Sequence, residues 1–229
     1  IRVVPDSGTE ELTGLAGAGK DTVADTLVTH AGFRKIAFAD ALRLEVAHAF
    51  GLGDRYGILS DRTTKEQPNA LLAMIHCKDQ GFVGQVAAIE DAWLNMEFLE
   101  RPYSPRQVMQ WWGTEYRRAK QPGYWSDQVG MQIAAGIVEG DTRWVITDCR
   151  FDNEARGIRS IGGEIWQVMR QGLADLEGGH ASQTDGARFL PEATLVNGSN
   201  ITGLMHTTLR MLQHRHGGLI LPDDLQAAA

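Results

Sequence analysis

Gly14-Leu15-Ala16-Gly17-Ala18-Gly19-Lys20-Asp21-Thr22 is the stretch on which the fold turns. It fits G-x-x-x-x-G-K, a loop that cradles phosphate, except that Asp21 stands where Ser or Thr usually follows the lysine and Thr22 comes one place later. Glycines let the backbone wrap an anion in dihedrals a Cβ would forbid. The amides then point inward, and the following helix presents its positive dipole end. Lys20 supplies a point charge for the outer phosphates. The competing reading is a glycine-rich turn that happens to hold a lysine. Val23, Leu27 and Val28 argue against it, because they mark one face of a helix beginning where the loop ends. Upstream the signal is poor. Only Glu11-Leu12-Thr13 adjoins the loop, and the more strand-like Ile1-Arg2-Val3-Val4 is cut off by Pro5-Asp6-Ser7-Gly8.

Outward from the loop, the chain reads as strand, helix, strand, helix. Gly32 suits a helix C-cap, Phe33 to Phe38 a short strand ending at Ala39-Asp40, and Ala41 to Phe50 a second helix stopped by Gly51. That rhythm predicts an α/β fold, a mainly parallel sheet flanked by helices in three layers. Residues 52–102 break it. They are turn-rich, with an apolar run Leu71–Ile75 and a helix expected over Val86–Leu99. We read one domain over residues 1–229, with 52–102 as an insertion that serves either as a lid or as a plain connector.

Ser104-Pro105-Arg106-Gln107 carries a capping box with proline at the first helical position. The helix it opens bears Trp111 and Trp112, is interrupted at Gly113-Thr114, and continues to Arg117-Arg118. Met and Trp at this spacing are core residues first. Arg106 and Arg117 lie eleven apart, which on an uninterrupted helix returns them to one face. Such a basic face suits phosphate; the bland alternative is a solvated surface.

A helix from Tyr124 to Glu139 precedes the second informative stretch, Arg143-Trp144-Val145-Ile146-Thr147-Asp148-Cys149-Arg150-Phe151-Asp152-Asn153-Glu154-Ala155. Trp144–Ile146 is a buried strand, which puts Asp148 at its C-terminal end, where ligands bind in open α/β sheets. Asp148 there is either an acid serving a metal or a helix N-cap. Arg150 either meets a phosphate or pairs with Glu154 at helical spacing. Glu164–Arg170 and Ala193–Asn197 read as strands, and Ser199-Asn200 caps a last helix to about His216. His180 sits in a polar loop without a cysteine or second histidine beside it, so it reads as structural.

Composition sets limits. At 229 residues, 43% hydrophobic and 22% charged, the chain has the make-up of a soluble globular protein able to bury a sizeable core. A net charge of −7 disfavours a nucleic-acid partner. Two cysteines far apart, Cys77 and Cys149, offer neither a disulfide framework nor a zinc cluster and fit a reducing cytoplasm. No apolar run reaches the ~20 residues of a membrane span, and the N-terminus lacks the pattern of a signal peptide.

Four stretches resemble the bacteriophage deoxynucleoside monophosphate kinases of the P-loop kinase superfamily. Gly14–Thr22 is similar to that family's G-K-D-T loop, which makes Asp21 a family trait. Arg106–Thr114 resembles its helix ending in Gly-Thr. Thr147–Ala155 resembles its T-D-x-R-F-x-N-E-A segment, and His180–Gln183 with Val196–Ser199 its H-x-S-E and N-D-G-S motifs. The order holds from about residue 12 to 210. Gln183 replaces the acid of H-x-S-E, and the aspartate of N-D-G-S is missing. The resemblance implies a P-loop NTPase-type fold and transfer of the γ-phosphoryl of ATP, with Mg2+, to a deoxynucleoside 5′-monophosphate in the cytoplasm. Gly14, Gly17, Ala18, Gly19, Lys20, Asp21 and Thr22 would hold the nucleotide triphosphate. Lys20, Arg150 and Asp148 would be catalytic, and Asp21, Thr22 and Asp148 would meet the metal or its waters. Asp40, Arg43, Arg106, Gln110, Thr114 and Arg117 would bind the acceptor. Two other readings are open: a kinase for another acceptor, such as a modified base in phage DNA, or a nucleotide-binding switch without transferase activity. Base preference and homodimer formation are not encoded in any of these stretches.

Overall fold

Five parallel strands organise the computed structural model, which describes residues 9–14, 17–170, 190–198 and 200–217. They are β1 (Thr9–Thr13), β2 (Arg34–Ile36), β3 (Trp144–Ile146), β4 (Glu164–Arg170) and β5 (Ala193–Asn197), in the order β2-β3-β1-β4-β5. β1 is central, with Glu11 level with Ile146 on one side and Ile165 on the other. The residues that looked too polar and too few to feed the glycine loop therefore form the middle strand. Partners on both edges supply the hydrogen bonds that local propensity does not.

The chain divides into two compact units, one of Ile1–Phe38 with Val129–Ala229 and one of Ala39–Gln128. The first holds the sheet. Leu12, Val145, Trp166, Val168 and Leu195 form one core with Val23, Ala24 and Leu27 of α1 (Lys20–Ala31) and Leu204 and Leu212 of α8 (Ile201–His216). Strand side chains alternate between faces, so Trp144, Ile146 and Ile165 are directed the other way. There α7 (Asp152–Ser160) buries Ala155 and Ile158 and lies along β4 and β1. The indole of Trp144 fills the space beside Gly136 of α6 (Tyr124–Val138) so closely that a Cβ there would lie 2.2 Å from it. Helix, sheet and helix make three layers, the α/β arrangement expected. Truncating the fully buried Trp166 to alanine would cost about 3–5 kcal/mol.

Two boundaries differ from expectation for identifiable reasons. α2 runs from Phe38 to Ala49, so Asp40 lies in its first turn and not at a strand end. The helix starts early because the Asp148 carboxylate accepts the backbone N–H of Phe38 at 2.8 Å, satisfying one of the orphan donors of a helix start. The helix expected over Val86–Leu99 is two helices, α3 (Gln80–Ile89) and α4 (Met96–Glu100). Asp79 and Asn95 cap them with their side chains, and Asp91 between them takes the left-handed conformation, φ 48°.

The 52–102 segment lies within the second unit. The apolar run at Leu71–Ile75 is folded into single 3₁₀ turns, Ala70–Leu72 and Met74–His76. Phe82 packs against Phe50, Trp112 and Tyr116, so Trp112 is a core residue. α5 (Pro105–Gln110) has the expected capping box from Ser104 and Gln107. It then widens into a π-helix over Trp111–Arg118 instead of breaking at Gly113-Thr114. Within that stretch the Gly113 carbonyl accepts Trp125 Nε1 at 3.1 Å. No described helix is long and apolar enough to cross a membrane. The His180–Gln183 motif and Ser199 lie outside the described residues.

Candidate functional site

The glycine loop leaves the C-terminal end of the central strand and enters α1. Gly14 has φ +137°, and a Cβ there would meet the backbone carbonyl of Val168 at 2.3 Å. Gly17 and Gly19 have φ +77° and +109°, in the region that favours glycine. α1 opens on Gly19, whose carbonyl accepts the N–H of Val23 at 3.0 Å. The Lys20 ammonium folds back to the Gly14 carbonyl at 2.6 Å. Ala18 is buried and Gly17 exposed.

Two cations act on each other here. Burial pushes the Lys20 ammonium below its ordinary pKa, and the nearby Arg150 guanidinium pushes it further; Asp21 and Asp148 offset part of this. Arg150 is exposed, and among the described residues its guanidinium has no hydrogen-bond or ion-pair partner. The buried Glu154 carboxylate instead accepts the backbone N–H groups of Arg150 and Phe151 at 2.9 and 3.1 Å. Glu154 thus fixes the chain after β3 and leaves the arginine side chain to point elsewhere. A lysine and an arginine held near each other repel, and an anion placed with them relieves that repulsion.

Asp148 does serve as a helix cap, and the helix is α2. Asp21 is exposed and shares Lys35 with Asp25, at 3.3 and 2.9 Å. Lys35 was not singled out from the sequence; its position on β2 gives no local sign that it reaches α1. Thr22 is half-buried at the start of α1, its carbonyl accepting the Thr26 hydroxyl at 2.7 Å. Among the described residues no three His, Cys, Asp or Glu side chains are grouped to hold a metal. Thr22 and Asp148 are hard oxygen donors of the sort Mg2+ takes when phosphate and water complete its shell. The cradle and the two cations fit a polyphosphate.

In the second unit, Arg117 is the most constrained of the expected acceptor residues. Its Nε donates to Glu45 Oε2 at 2.8 Å, and its guanidinium lies 5.1–5.3 Å from the ring centroids of Trp112, Tyr116 and Tyr124. Glu45 Oε2 also accepts Trp112 Nε1 at 2.8 Å, and its other oxygen accepts the Tyr124 hydroxyl. Burial comes first in raising the Tyr124 pKa, and that carboxylate second. Arg106 pairs with Glu66. The expectation of one arginine face fails here, because a π-helix turns less per residue and eleven positions no longer complete whole turns. Arg43 pairs with Asp40 at 2.6 Å; Gln110 and Thr114 are exposed. Glu45 escaped the sequence reading, since an acid inside an apolar helical stripe has no motif to mark it.

Two residues at the ends of β4 and β5 also touch the loop. Asn197 Nδ2 donates to the Ala18 carbonyl at 2.9 Å, and Arg170 Nη1 to the Gly17 carbonyl at 3.4 Å. The strand-end rule that singled out Asp148 applies to both.

No family model matches the chain. Two solved structures resemble it in part. Dephospho-CoA kinase from Campylobacter jejuni has a TM-score of 0.43 and 13% identity, covering 90% of this chain and 96% of that one. An unliganded sugar kinase from Janibacter sp. HTCC2649 has a TM-score of 0.44 and 11% identity, covering 92% and 96%. In sequence, the chain is 27% identical over 178 residues to an Acanthamoeba polyphaga mimivirus protein named "Putative deoxynucleotide monophosphate kinase", over 71% of this chain and 74% of that protein.

Proposed function

We propose that the protein transfers the γ-phosphoryl group of ATP to a deoxynucleoside 5′-monophosphate, giving the diphosphate. The observation that carries this is the glycine cradle that opens α1 and holds Lys20, whose ammonium feels the charge of Arg150, with the Arg150 guanidinium unpaired among the described residues. Likeness to the mimivirus protein over most of the chain supports the choice of acceptor.

Phosphoryl transfer asks a protein chiefly for alignment and charge neutralisation. Lys20 and the loop amides hold the β- and γ-phosphates. Arg150 neutralises charge on the group in transit. Thr22 and Asp148 hold the magnesium ion or its waters, and Mg2+ when bound screens the phosphate oxygens. Asp21, drawn to Lys35, stands at the edge of that set. Arg43, Arg106, Gln110, Thr114, Arg117 and Asp40 bind the acceptor, with Arg117 oriented by Glu45. No general base is required, because a monophosphate oxygen is already ionised.

The test is incubation with Mg-ATP and each deoxynucleoside monophosphate in turn, with separation of the diphosphate product. Lys20→Ala should lower turnover by about 10²–10³-fold in a protein that still unfolds cooperatively. Wild-type turnover in that variant, or no diphosphate from any monophosphate, would remove the proposal.

A further inference from the structure

We infer that Asn197 and Arg170 are positioning residues that turn the amides of the glycine loop toward a bound polyphosphate; this rests on the reading of that loop as the ATP site.

Three consecutive loop carbonyls are committed to the protein. Gly17 O accepts Arg170 Nη1 at 3.4 Å, Ala18 O accepts Asn197 Nδ2 at 2.9 Å, and Gly19 O accepts Val23 N–H at 3.0 Å. In a planar trans peptide the C=O and N–H point in opposite directions, and the described chain has no cis peptide. Drawing the carbonyls of Gly17, Ala18 and Gly19 toward the strand ends and α1 therefore sends the N–H groups of Ala18, Gly19 and Lys20 the other way. Those successive amides make a concave anion-binding surface, at the helix end whose dipole favours negative charge.

Helix formation alone accounts for the Gly19 carbonyl. The other two need side chains, and the sheet delivers them together: Arg170 and Asn197 are register partners at the last rung of the β4–β5 ladder. The fit is close. A Cβ on Gly19 would lie 2.8 Å from Asn197 Nδ2 and 2.9 Å from Leu204 Cδ2, so the loop leans directly on the asparagine amide. The Asn197 contact has ordinary hydrogen-bond length, whereas the Arg170 contact is long. Asn197 accordingly carries the larger share of the positioning, and Arg170 adds a positive charge at the rim.

Inorganic tripolyphosphate tests this without involving an acceptor. In Asn197→Asp a second acceptor would face the Ala18 carbonyl, and the two would repel. Its tripolyphosphate affinity, measured by calorimetry, should fall more than about 10-fold; the loss of one neutral hydrogen bond in Asn197→Ala should give roughly 3–10-fold. In the wild type, tripolyphosphate should move the Ala18 and Gly19 amide proton resonances downfield, and in Asn197→Asp that response should be lost while the remaining spectrum stays native. In turnover, KM for ATP should rise with KM for the monophosphate unchanged. Arg170→Ala, at an exposed position, should weaken tripolyphosphate binding a few-fold and covers the case in which the asparagine variants do not fold. Unchanged affinity in folded Asn197→Asp, or in Arg170→Ala if only that variant folds, overturns the inference. So does a wild-type protein that binds no tripolyphosphate. Tripolyphosphate binding with the predicted losses, in a protein that phosphorylates no deoxynucleoside monophosphate, would sink the proposed reaction and leave this inference standing.

Discussion

Asp148→Asn and Asp148→Ala should separate two duties of one carboxylate. Its Oδ1 accepts the Phe38 N–H at 2.8 Å and so starts α2. Asparagine presents an oxygen in the same place and caps nearly as well as aspartate, whereas alanine cannot; losing such a cap costs about 1 kcal/mol, within 0.5–2. For a chain of this length each kcal/mol moves Tm by about 2–4 °C. Asp148→Ala should thus melt about 2–4 °C below the wild type, and Asp148→Asn within about 1 °C of it. Turnover should order differently. Both variants lack the negative charge proposed to serve the metal, so both should lose on the order of 10–100-fold in ATP-dependent phosphorylation. Thermal melts and kcat measured on the same preparations give the comparison. If Asp148→Asn melts as low as Asp148→Ala, capping is not the structural duty. If Asp148→Asn turns over like the wild type, the carboxylate only caps, and it leaves the proposed chemistry.

Arg150→Ala should lower turnover by at least about 10²-fold without moving Tm measurably. It should also raise the Lys20 pKa, since a neighbouring cation that depresses it is gone; a pH titration of lysine resonances that finds no rise would contradict the action of one charge on the other. Gly14→Ala combines backbone strain of about 1–3 kcal/mol with overpacking of about 1–3 kcal/mol against the Val168 carbonyl, so denaturant unfolding should report a loss of about 2–6 kcal/mol, and a loss below 1 would refute the geometry of the loop. Glu164 is pushed up by burial, but hydrogen bonds from Arg215 and Trp166 and the Arg215 charge outweigh this and hold it below the usual carboxylate range. Its stabilising contribution is therefore full above the unfolded value of about 4.3 and lost as pH falls through the lower folded value. The stability of Glu164→Gln should be less sensitive to pH in that window than the wild type, and identical acid unfolding profiles would count against the ion pair.

Much of this molecule was legible where short-range rules suffice. The capping box at Ser104, the buried strand at Trp144–Ile146 and the helix capped by Asn200 each depend on neighbours a few residues away. What escaped depends on residues far along the chain. β1 looked implausible because its strand character comes from β3 and β4 on either side. Asp148 reads as a local cap or a metal acid, and nothing near it reveals that it starts a helix at Phe38. The π-helix at Trp111–Arg118 defeats the 3.6-residue arithmetic that put Arg106 and Arg117 on one face. In the site, Lys20 and Arg150 carried motif signals, whereas Lys35, Glu45 and Arg170 had only positions that tertiary structure makes meaningful.

The central place of β1 also bears on how the protein is made. Its ladder partners begin at Trp144 and Glu164, so during synthesis the glycine-loop strand emerges long before anything can pair with it. At 5–20 residues per second the wait is roughly ten seconds. Over that time Ala39–Gln128, which has its own core, can fold first, while Leu12, Val23 and Leu27 are still without the strands that bury them. In a nascent chain of this design the phosphate loop is made well before three of the five strands of its sheet, β3, β4 and β5. Loop-closure entropy must be met before the long-range pairs repay it, which makes the early segment the place where chaperone binding or aggregation would compete with folding.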